Sequence, residues 1–209
     1  MKYIRERLSS ENIRERILGT IALFLMLFFG VMVASYYLLP EELLKNKNPL
    51  QGWETSGNTL ILTMQIFFYN MISVFVIILG SLFGQKKTYE RDYLSIGYTA
   101  FFTLICINAV TLGTWSFSVE REAVSLMSRI TGTFNIFHRA GLWEMMGQLL
   151  ITCATAHIAT VLTSGKETVT KKIKDIRLAK SEKTVFVGGI TLMLMGAVIE
   201  SIGINSINF

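Results

Sequence analysis

Cysteine, proline, histidine and charge are all scarce in this chain of 209 residues. The two cysteines, Cys106 and Cys153, both fall inside apolar runs, with neither the number nor the spacing of a disulfide framework or a metal site. The two histidines, His138 and His157, are 19 residues apart. On one helix that separation is roughly 28 Å, too far to share a metal ion. No HExxH, P-loop or GxSxG is present, and Glu41-Glu42 is followed by Lys45 and Asn46 rather than by the arginine of a Glu-Glu-x-x-x-Arg pair. The sequence therefore implies no cofactor, and an enzyme is the less favoured class. Charged residues make up 17% of the chain, where a soluble domain carries about a quarter.

What fills the space is apolar. Hydrophobic residues reach 51%, and mean hydropathy is +0.47. They fall into long runs separated by short charged stretches, the pattern of a polytopic membrane protein. The expected fold is an all-α membrane helix bundle with about five spans, near 17–39, 59–84, 94–118, 141–162 and 184–204. Residues 1–16 precede it as a cytoplasmic amphipathic lead segment, in which Ile-Arg-Glu-Arg occurs at 4–7 and again at 13–16. Ser9 or Ser10, followed by Glu11, is the expected helix cap there. The first apolar run is too long for a signal-peptide core and is expected to remain as an anchor. Pro40 ends it. Trp53 suits an interface position, and residues 119–140 read as an amphipathic or re-entrant connection.

Basic residues set the orientation. Five lie in the N-terminal segment, three in 85–93 and seven in 165–183, against two in 40–58 and three at Arg121, Arg129 and Arg139. With five spans these alternate, 15 on one side and 5 on the other. The positive-inside rule places the N-terminus in the cytoplasm and the C-terminus outside. The net charge of +5 then points to anionic lipid headgroups rather than nucleic acid.

Polar groups inside spans mark candidate functional positions, because hydrocarbon penalises them. In the fourth span Glu144, Gln148, Thr152 and Thr155 share a helical face with Gly141 and Ala159. Met145, Leu149 and Val161 fall opposite and are expected to face away from the interior. In the fifth, Gly189, Gly196 and Gly203 recur every seven residues with Glu200 on the same face, a close-packing stripe carrying a carboxylate. Thr63, Asn70, Ser73, Ser81 and Gly84 fall near one stripe in the second span, and Gly97, Asn108, Thr111 and Trp115 near one in the third. The expectation is a shared polar interior drawing together Asn70, Asn108, Glu144, Gln148 and Glu200. Interhelical hydrogen bonding accounts for Asn70 and Asn108 better than a ligand role does. A lone His157 among Thr and Ala reads as a hydrogen-bonding helix residue.

Over roughly residues 59–163 the chain resembles the stage II sporulation protein M family, multi-spanning prokaryotic membrane proteins. The resemblance rests on IFFYNMISVFVIILGSLFG (66–84), INAVTLG (107–113) and GLWEMMGQLL (141–150), and points to Asn70, Asn108, Gly113, Gly141 and Glu144. Two positions depart from the family pattern. Ala109 stands where a glycine usually follows the asparagine, and Ala140 where a histidine usually precedes Gly-x-x-Glu, with His138 displaced by two. The resemblance implies a non-enzymatic scaffold or assembly component in the prokaryotic cytoplasmic membrane. Its setting would be an envelope complex, or one for peptide export or maturation like those encoded beside circular bacteriocins. Partners would be the bilayer and other membrane proteins or an ABC-type ATPase, with a peptide substrate and self-association both open. The alternative is a transporter or peptide-processing enzyme using Glu144 and Glu200. Glu144 is the residue whose replacement is expected to affect function most without unfolding the chain.

Overall fold

A computed structural model describes residues 2–45, 47, 56–86, 93–117, 122–134, 140–165 and 167–207. Trp53, Glu120, Arg121, His138 and Arg139 lie outside them. The elements are α1 (Lys2–Leu8), α2 (Ile13–Leu38), α3 (Thr59–Ser81), β1 (Phe83–Gln85), β2 (Leu94–Ser95), α4 (Gly97–Gly113), α5 (Leu126–Thr133), α6 (Ala140–Ala154), β3 (Val161–Ser164), β4 (Glu167–Thr170) and α7 (Lys180–Ile207). Three helices, α2, α3 and α7, are long and apolar enough to cross a membrane. At 1.5 Å per residue their 26, 23 and 28 residues exceed the roughly 30 Å of hydrocarbon. Their outward faces are apolar too: Leu60, Phe68 and Phe75 of α3 are all more than half exposed.

The other two expected spans are shorter. Helix α4 has 17 residues and α6 has 15, about 26 and 23 Å. Helix α6 stops at Ala154, and the chain runs on as irregular backbone that stays buried through Thr155, Ala156, Ile158, Ala159 and Thr160. Buried non-helical backbone is tolerated only when its polar groups are satisfied. Here the amides of Thr160 and Val161 both donate to the Leu82 carbonyl, and that of Ala159 donates to the Tyr93 hydroxyl.

The five helices α2, α3, α4, α6 and α7 alternate in direction between two ends of the bundle. At one end lie α1, Arg16 and the start of α7. At the other, Glu42 N donates to Thr114 O, Leu44 N to Ser116 Oγ, and Asn205 Nδ2 to Thr59 Oγ1. The short helix α5 joins this second end through Arg129, which is 3% exposed. Its guanidinium donates to the carbonyls of Leu112 and Gly113 at the α4 C-terminus and stacks on Tyr36 and Trp115. A cation there complements the negative end of the helix dipole.

The all-α expectation needs one correction. Four short strands form a sheet in the order β2-β1-β3-β4 at the first end. β1 and β3 pair parallel, Phe83 to Val161 through Gln85 to Thr163. They can do so because each continues a helix, α3 or α6, that arrives at the same end. β3 and β4 form a hairpin whose turn opens with Gly165 at φ +59°, a conformation glycine adopts without strain. The lead segment is also corrected: Asn12, not Ser9 or Ser10, caps α2, its side chain accepting from Arg14 N. Glu15 in the first turn of α2 bonds Ser10.

Packing centres on α6, which touches α2, α3, α4 and α7. Phe24, Phe28 and Met32 of α2, Phe101, Ile105 and Ala109 of α4, and Met145, Leu149 and Cys153 of α6 form the main core. Met145 and Leu149, expected to look away from the interior, are buried instead, because α2 and α4 pack against α6 as well as α3 and α7. Between α6 and α7 the seam is glycine-lined. A Cβ on Gly147 would stand 2.5 Å from Met193 Cγ and 2.7 Å from Gly189 O, so the two backbones touch. Small residues allow this approach where lipid supplies no hydrophobic drive. Gly196 continues the seam against Glu144 and Ala140, whereas Gly203 faces open space.

Candidate functional site

Two polar clusters sit within this framework. The first lies where α3, α6 and α7 meet. Asn70 of α3 donates its amide to Glu144 Oε1 of α6. The Glu144 carboxyl also lies beside that of Glu200 of α7. The α6–α7 seam makes this possible, since Gly196 lets α7 approach within contact of the Glu144 side chain. Two carboxylates this close repel unless a proton or a cation lies between them. One turn further along α6, Gln148 is 6% exposed and its Oε1 has no hydrogen-bond partner among the described residues. Thr152 and Thr155 return their hydroxyls to the α6 backbone, and Thr155 also meets Ser81 of α3 at 3.1 Å. Thr63 of α3 and Ser201 of α7 meet at 2.6 Å.

The structure thus brings Asn70, Glu144 and Glu200 together, with Gln148 buried on the same helix. It does not bring Asn108. That residue is exposed on the outer side of α4, a correction with a geometric cause. The buried stripe of α4 runs Gly97, Phe101, Ile105, Ala109, Gly113. Four-residue steps precess by about 40° each on a 3.6-residue helix, so by Ala109 the buried face has turned away from Asn108. Gly113 is buried, and a Cβ there would meet the Met32 carbonyl oxygen at 2.6 Å. Gly141 is exposed with nothing within 4 Å of a Cβ position.

The second cluster was not legible as a site. Arg16, in the first turns of α2, is fully buried. Its Nη2 donates to Glu182 Oε1 of α7 at 2.6 Å and its Nη1 to His157 Nδ1 at 2.9 Å, while His157 Nε2 lies 3.2 Å from Ser9 O. Arginine can only donate and a carbonyl can only accept, so the partners assign the Nε2–H tautomer to His157. Glu182 also accepts from Ala179 N, capping α7. Tyr93 packs edge-on against the His157 ring, and burial pushes its phenol above the ordinary tyrosine value, the Ala159 hydrogen bond partly opposing. The only sequence signal for Arg16 is its place at the edge of an apolar run.

Among the described residues no group of three or more His, Cys, Asp or Glu side chains is arranged to hold a metal. Glu144 and Glu200 offer two carboxyls and an amide neighbour, which can bind a proton or position a small cationic group. Set against family models, curated proteins and solved structures, the chain matches none.

Proposed function

We propose that the chain is a non-enzymatic scaffold or assembly component of the prokaryotic cytoplasmic membrane, crossing it five times with its N-terminus inside. The setting proposed is an envelope complex or one for peptide export or maturation, as in the stage II sporulation protein M family that the sequence resembles. The observation that carries the scaffold reading is the α6–α7 seam, in which Gly147, Gly189 and Gly196 hold the helices in backbone contact and clamp Glu144 against Asn70. A carboxyl held this way fits a packing role better than an open reaction site. The alternation of five helices between two ends supports five crossings. Both basic loops, 85–93 and 165–183, meet the N-terminal helices at one end through their described residues, Arg5 to Gln85 O and Arg16 to Glu182, as a single cytoplasmic face requires. Short α6 can cross because protein, not lipid, surrounds it.

Glu144 facing Glu200 favours a second reading, transport or peptide processing by intramembrane carboxyls. Glu144→Gln separates the two, keeping the shape and the acceptor for Asn70 but removing the charge. A scaffold retains the proteins that copurify with it in mild detergent and keeps its cellular activity. Carboxyl chemistry gives normal expression and detergent stability with the activity lost. Reporter fusions at residue 175 and after the C-terminus test the crossings; both on one side would end the five-span topology.

A further inference from the structure

Outside the carboxyl cluster, the bundle has a cleft of about 120 Å³ between the buried 157–160 backbone and the loop 171–177. Lys171, Lys172 and Arg177 line it together with Asp175, and His157 and Thr160 contribute to its wall. We infer that this cleft binds the phosphate of an anionic phospholipid headgroup. The inference rests on the membrane reading above, with this end of the bundle at the cytoplasmic surface.

Charge is the first argument. Three cations against one carboxylate leave the lining positive, and none of the three is ion-paired among the described residues. The nearby acid that could neutralise them, Glu182, is already committed to Arg16 and Ala179. Size is the second. Whole-molecule ligand sites run to roughly 300–1,000 Å³, so this cleft takes in a single phosphate group and does not enclose a whole nucleotide. Amphiphilicity is the third. Ile173, between Lys172 and Lys174, is 72% exposed, and Val169 is 56% exposed. Apolar side chains projecting among cations suit the boundary between headgroups and acyl chains and fit a free anion in water poorly. The cleft is also fixed in place: Lys171 N donates to Thr160 O, and His157 behind it is held by Arg16.

The test uses the full chain in mild detergent, with bound lipid counted by native mass spectrometry. Each cation near an anionic headgroup contributes about fivefold, so a triple change removes roughly a hundredfold. The expected result is preferential retention of phosphatidylglycerol over phosphatidylcholine, lost by that factor in K171Q/K172Q/R177Q. The control pair K174Q/K180Q lies on the same exposed stretch but outside the cleft lining, and it should change retention far less. Should the triple variant not fold, R177Q alone should lose about fivefold, and no loss there overturns the site. An equal loss per charge in the control pair overturns it in favour of diffuse attraction. Inorganic phosphate that raises thermal stability as much as the lipid does overturns the lipid assignment. Retention in detergent does not depend on orientation, so a failed topology shows in the reporter fusions and not here.

Discussion

Gly147 and Gly189 approach each other reciprocally: a Cβ on the first would lie 2.7 Å from the second's carbonyl oxygen, and one on the second 2.8 Å from the first's. Neither neighbour is a side chain that can swing away, so any added methyl must push α6 and α7 apart. Helix association in a bilayer depends on such contacts, because lipid removes the hydrophobic drive between helices.

Gly147→Ala should therefore destabilise the bundle by about 1–3 kcal/mol, the usual range for overpacking. Gly203→Ala, on the same helix as Gly189 but with open space around it, should be neutral or stabilising by up to about 1 kcal/mol through helix propensity. Thermal unfolding in detergent reads both. Equal effects at the two glycines would refute the seam.

Removing one partner of a buried ion pair strands the other. Arg16→Met leaves Glu182 buried without its guanidinium, and the expected loss is about 3–5 kcal/mol. The double variant R16M/E182L should recover most of it. A double variant as unstable as the single would place the cost in lost packing rather than in an unpaired charge.

Thr63 and Ser201 lie close enough for a crosslink, with hydroxyl oxygens 2.6 Å apart. In a background lacking Cys106 and Cys153, the pair T63C/S201C should oxidise readily to an intramolecular disulfide, visible as a gel shift reversed by reductant. Disulfides require Cβ atoms within about 4.5 Å, so a pair that stays reduced under oxidant would contradict the α3–α7 packing.

Tyr93 gives a pH dependence with a definite sign. Its folded-state phenol titrates above the ordinary value of 10.0 because it is buried. Its contribution is fully present below that ordinary value and lost as pH rises through the folded one. Unfolding midpoints should fall on the alkaline side, and Tyr93→Phe should flatten that fall while lowering the neutral-pH midpoint, since Ala159 N loses its acceptor. An unchanged alkaline slope in Tyr93→Phe would assign the effect to another group.

The three long helices were legible because unbroken apolar runs of that length have few other structures open to them. Polar spacing likewise led to Asn70, Glu144 and Glu200. The burial of the Met145 and Leu149 side of α6 was not legible, for a reason particular to bilayers. Lipid and helix interiors are both apolar, so Met145 and Leu149 look alike whether they face one or the other. The sheet was hidden for another reason: its strands are two to four residues long, and β1 meets β3 across nearly 80 residues of intervening chain. Arg16 counts in the sequence only as one of five basic residues of the N-terminal segment, because nothing local distinguishes it from Arg14, which lies on the exposed side of the same turn.

The Arg16–Glu182 pair joins residues 166 positions apart, which fixes a sequence of events during synthesis. At about 5–20 residues per second, the ribosome delivers Glu182 on the order of ten seconds or more after Arg16. Throughout that interval the first long helix carries a cation with no carboxylate to meet it, so it must wait at a depth where water or headgroups can solvate it. The last helix therefore completes the docking of the first, and a chain cut short before Glu182 leaves Arg16 without the carboxylate it meets in the finished bundle.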